Sequence, residues 1–144
     1  MRALTTTVLA VALASLVGCR TNPCGDQHGI LPASLAPVGA ALDDAPVCYV
    51  QGDHATLMYW GGADRLNTAT VRAIGRLNAA GWAQLPPSPY TDPATPTYVF
   101  ARGDEEISLR FSRTQTPRFG AKMWTDSVTI QAEHSIARRR RAHP

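Results

Sequence analysis

Glu106-Ile107-Ser108-Leu109-Arg110-Phe111-Ser112 alternates without a break: Ile107, Leu109 and Phe111 point one way along an extended chain, and Ser108, Arg110 and Ser112 point the other. A strict period of two means one buried face and one wet face, the signature of a strand in an antiparallel sheet. Working outward, Gly103-Asp104 turns the chain, and residues 97–101 form the strand before it. Downstream, a loop at 117–120 leads to Trp124, Val128 and Ile130, whose shared parity suits a last strand. Two more strands lie upstream, at residues 47–51 and 54–60, both rich in Val, Thr, Tyr and Trp. Gly52-Asp53 between them has glycine first, as a type II′ hairpin turn requires.

One helix interrupts the strands. Residues 67–80 carry Val71, Ile74 and Leu77 as an apolar stripe, with Arg72 and Arg76 on another. Asn67 is placed to cap the helix, Leu66 to staple onto Val71, and Gly81 to close the C-terminus so that Trp82 folds back on Leu77. Gly75, unfavourable in a helix interior, would serve a close approach to the sheet. The prolines between 86 and 96 allow only a loop. The predicted fold is α+β: two layers, one helix on a mainly antiparallel sheet of about five strands, in the order β-β-α-β-β-β.

The N-terminus reads differently. Met1-Arg2 is followed by an apolar run over residues 3–17, which as a helix reaches only about 22 Å against a hydrocarbon core of about 30 Å. This is the pattern of an export signal. A cut after a small-x-small site would make it a plain signal peptide. The tetrapeptide Leu16-Val17-Gly18-Cys19 at its end resembles the lipobox of bacterial lipoproteins. The resemblance covers the first nineteen residues only. It implies cleavage before Cys19, diacylglyceryl and acyl (palmitate-type) modification of that cysteine, and anchorage in the bilayer with the domain outside the cytoplasm. Arg20 after the cysteine, where Asp retains many such proteins at the inner membrane, implies the outer membrane if the organism has one. Otherwise it implies the cell membrane. Beyond Cys19 the sequence resembles no specific family.

With Cys19 lipidated, two of the three cysteines remain, Cys24 and Cys48. In an exported chain they are expected to pair as a disulfide; two free thiols, or Cys24 as a second lipidation site, are the alternatives. The chain then divides into a signal at 1–18, a lipidated, Pro/Gly/Ala-rich leader at 19–46 with a short turn of helix near 33–42, a single domain at 47–134, and a basic disordered tail at 135–144. Formal charge is +3. Setting aside Arg2 and the run Arg138, Arg139, Arg140 and Arg141 leaves nine basic residues against eleven acidic, so the excess belongs to the tail. That run would make weak contact with anionic lipid near the anchor. A slightly acidic body argues against nucleic acid.

No catalytic motif and no metal-ligand spacing is present, and no cofactor is implied. Asp26 with His28 and Asp53 with His54 form the best constellation, but both pairs lie in loops. Trp60 and Tyr90 are the aromatic residues best placed for a binding surface. The sequence is therefore read as a non-catalytic interaction or accessory module of the envelope, meeting an envelope protein or polymer. A small envelope hydrolase and a structural subunit of an envelope complex are the alternatives.

Overall fold

The computed structural model describes residues 23–43, 45–89, 92–117 and 124–137. A 3-10 turn (Ala33–Leu35) runs into the short helix α1 (Ala36–Ala41). Then come β1 (Val47–Gln51), β2 (His54–Trp60), the long helix α2 (Ala63–Ala79), β3 (Ala83–Gln84), β4 (Thr97–Arg102), β5 (Glu105–Pro117) and β6 (Trp124–Ile136). The α+β antiparallel reading holds at that level, with six strands in place of about five and two helices in place of one.

The strands lie in the order β1-β2-β6-β5-β4-β3, every neighbour antiparallel. Two-residue turns join β1 to β2 and β4 to β5, with Gly52 and Gly103 at positive φ. The last strand then slots between β2 and β5, joining the N-terminal hairpin to the C-terminal meander. The added strand, β3, is only two residues long, pairing Ala83 with Ala101 and Gln84 with Phe100 at the sheet edge. So brief a pairing has no periodicity to read.

Both helices pack on one face of the sheet. Ile107, Leu109 and Phe111 are fully buried there beside Val128, Ile130, Leu57 and Phe100. Each such side chain contributes about 1.5–3 kcal/mol by leaving water. Leu35, Val38, Ala41 and Leu42 belong to the same core, so the segment expected as leader is part of the folded domain. At the other end β6 continues through Ser135 and Ile136, two residues past the expected boundary. Arg76 ties the helices together, donating to the Ala40 carbonyl and meeting Asp43, both at 3.1 Å.

Helix α2 corrects three expectations. It starts at Ala63, not near Asn67, and its N-cap is Gly62 with no capping side chain. Its buried stripe is Ala69, Ala73 and Leu77, flanked by Leu66 and Ile74, while Val71 on the far side is 70 % exposed. Spacing alone favours the larger apolar residues, but here alanines face the sheet and let the helix approach it. Gly75 plays no part in that approach: a Cβ placed on it would meet nothing within 4 Å. The C-terminus forms as expected. Gly81 takes φ +85°, its N–H donates to Asn78, and the Trp82 N–H reaches back to the Leu77 carbonyl, a Schellman motif. Trp82 is buried beneath it, with the Arg102 guanidinium 4.4 Å from its ring centre.

Candidate functional site

With both helices on one side, the other face of the sheet has no covering layer among the described residues. Strand register decides what that face presents. Tyr49 of β1 pairs with Thr56 of β2, Thr56 with Gln131 of β6, Gln131 with Arg110 of β5, and Arg110 with Thr97 of β4. Residues paired directly across antiparallel strands share a face. These five therefore form one row running across the strands. A second row lies beside it: Gln51, His54, Glu133, Ser108 and Val99. Both rows are the wet phase of strands whose other phase is the core.

The two rows floor a groove of about 770 Å³, lined by all of them except Val99. A second hollow of about 380 Å³ adjoins it under the proline-rich loop, lined by Pro86, Pro87, Ser88, Asp92 and Val99 among others. Arg110 and Thr97 line both hollows, so the depression continues from Tyr49 to that loop.

The polar groups of the groove make contacts with one another and with the adjoining loops. His54 Nε2 lies 3.6 Å from Glu133 Oε2. The Tyr49 hydroxyl lies 3.1 Å from Gln51 Oε1, to which it donates. Arg110 Nη2 donates to the Thr95 hydroxyl at 3.4 Å and makes no ion pair among the described residues. The nearby Asp92 carboxylate turns back on its own loop, accepting from the Ala94 N–H at 2.9 Å and the Thr95 hydroxyl. Asp53 at the groove end accepts from Ser34 at 2.8 Å.

The residues singled out from sequence are distributed as follows. Cys24 and Cys48 are joined by a disulfide, with Cα atoms 4.9 Å apart. Trp60 is on the open face, 37 % exposed, one strand end away from the groove and not among its lining residues. Cys19, Tyr90 and Arg138, Arg139, Arg140 and Arg141 lie outside the described residues. Asp53 and His54 reach the groove, whereas Asp26 and His28 do not. Among the described residues no three His, Cys, Asp or Glu side chains gather as a metal site. Sequence reasoning missed Tyr49, Thr56, Gln131, Glu133 and Thr97 as one surface. The available signal was the polar phase of each strand, which says which residues are wet but not which stand side by side.

A second polar cluster sits on the helix side, where β5 and β6 run on past their neighbours. Arg113 meets Asp126 at 2.8 Å, and the Arg113 and Gln115 side chains hold the Asp126 carboxyl below the usual carboxylate value. Gly62 leaves room for that carboxylate at the start of α2, since a Cβ there would fall 2.8 Å from Asp126 Oδ2. An acidic group at a helix N-terminus is stabilising. Arg65, one turn into the helix, stacks on Tyr59 at 4.3 Å. This cluster anchors α2 to the sheet and is structural.

Comparison with protein-family models, with curated proteins and with solved structures returned no match. No helix among the described residues is long and apolar enough to cross a membrane.

Proposed function

We propose that this chain is a bacterial envelope lipoprotein, held to a membrane through acylated Cys19, whose domain is a non-catalytic interaction module. The anchor rests on Leu16-Val17-Gly18-Cys19 at the end of an apolar run too short to span. Several acyl chains, at about 0.8 kcal/mol per buried methylene, hold a protein where one chain would not. The disulfide at Cys24, five residues after Cys19, keeps the domain close to the bilayer. The observation that carries the interaction reading is the groove: a continuous polar face, with no covering layer among the described residues, built from five adjacent strands.

Cys19→Ala tests the anchor. Labelling by a clickable palmitate analogue should disappear, and the protein should move from the membrane pellet to the soluble fraction. Persistent labelling and pelleting refute it. A small hydrolase is the second reading, drawn from the His54–Glu133 pair in the same groove. It requires His54→Ala to abolish a measurable turnover while leaving ligand binding intact.

A further inference from the structure

The groove's composition names a class of occupant, resting on the interaction-module reading above. Its centre is Gln131, Glu133, Arg110 and Ser108, with Tyr49 at one end, 53 % exposed. A protein-binding face concentrates apolar and aromatic anchors at its centre and is depleted there in charge, the reverse of this arrangement. Lipid and most small-molecule pockets are lined chiefly by apolar groups. Nucleic acid demands several cations along a backbone, and this groove offers one arginine beside a glutamate. What fits is a ligand that both donates and accepts hydrogen bonds along its length, meets an aromatic ring with an apolar face, and carries an anionic group for one guanidinium.

We propose that the two rows bind a linear polysaccharide bearing carboxylates, lying across the strands. Sugar hydroxyls match the Thr and Ser hydroxyls and the Gln amides, each able to give and take a hydrogen bond. The C–H face of a sugar ring stacks on Tyr49. Arg110 takes the carboxylate, its guanidinium having no carboxylate partner among the described residues. Four inter-strand steps of about 4.8 Å give the groove a length of about 19 Å, a track for several sugar residues rather than for one. Asp92 at the proline-rich end and Glu133 in the second row exclude a densely charged chain, so the carboxylate falls on the Arg110 side.

The experiment uses the full-length protein purified in detergent, with a fluorescently labelled, otherwise neutral linear hexasaccharide carrying a single uronate and the methyl ester of that uronate as probes, read by fluorescence anisotropy. The uronate-bearing probe should bind, and its ester should bind about ten-fold or more weakly, the share of one charge-assisted pair. Arg110→Gln should lose the same factor toward the acid and nothing further toward the ester, because both changes remove one interaction. Tyr49→Ala should weaken both probes alike. The ester comparison uses the unaltered protein, so it stands whether or not a variant folds. Replacing Arg138, Arg139, Arg140 and Arg141 together with Gln should change nothing. Absence of binding by either probe, equal affinity for both, or loss confined to the tail variant overturns the proposal. A photo-crosslinker at Thr56 that captures a protein partner instead would remove the polysaccharide while leaving the interaction module standing.

Discussion

Removing the Cys24–Cys48 bond should cost the domain a large share of its stability. The bond closes a loop with a sequence separation of 24, for which the chain-entropy relation gives about 3.5 kcal/mol at 25 °C. The loop is not idle chain: it contains Leu35, Val38, Ala41 and Leu42, all buried in the main core. Without the cross-link, docking that segment carries its full ordering entropy. Over residues 23–137, at about 2.1 cal/mol/K per residue, unfolding entropy is about 0.24 kcal/mol/K, so the loss corresponds to a fall in Tm of about 10–15 °C. The assay is calorimetry of the oxidised protein against Cys24→Ala/Cys48→Ala, with the wild type under reductant as a second arm. Both should fall together. A fall of less than about 3 °C in both would refute the reasoning, showing that apolar contacts alone hold the segment and that closing the loop adds nothing.

Gly75→Ala should stabilise the protein by about 0.5–1 kcal/mol, because the position is helical and exposed and the added methyl group meets nothing within 4 Å; a loss of stability in urea titration would contradict the placement of α2. Asp126 supplies a pH prediction. Its folded-state pKa is depressed, mainly by the Arg113 hydrogen bond, so its contribution is present above the unfolded value of about 3.9 and lost as pH falls through the folded value. Arg113→Gln should therefore raise the Asp126 titration midpoint seen by carbonyl NMR and flatten the stability loss below about pH 4; an unmoved midpoint would mean that Arg113 is not its partner.

Local chemistry was enough to place most of the elements. The alternation at Ile107, Leu109 and Phe111 marks a half-buried strand because a pleated chain shows successive side chains to opposite faces. Gly52 and Gly103 mark turns because those positions take positive φ, and Gly81-Trp82 closes α2 for the same reason. The pairing of Cys24 with Cys48 followed from counting thiols once Cys19 was set aside for lipid. All of these depend on neighbours within a few residues, or on composition.

What the sequence left open depends on partners distant in the chain. No capping side chain stands at Gly62 to announce the start of α2, and Asp64 in its first turn is the one local signal there; the carboxylate beside Gly62 comes from Asp126, more than sixty residues away. Val71 and Ala73 compete for the buried face of α2, and the sheet settles it in favour of the smaller residue because the helix can then come closer. Residues 33–42 read as leader because a short helix is marginal in isolation, and only docking against β6 and α2 gives it a core to bury into. The groove is the plainest case. That Tyr49, Thr56, Gln131, Arg110 and Thr97 are each wet is a local property, visible as the polar phase of five strands. That they stand in one row follows from β6 inserting between β2 and β5, and strand order is set by long-range pairing that no local pattern encodes.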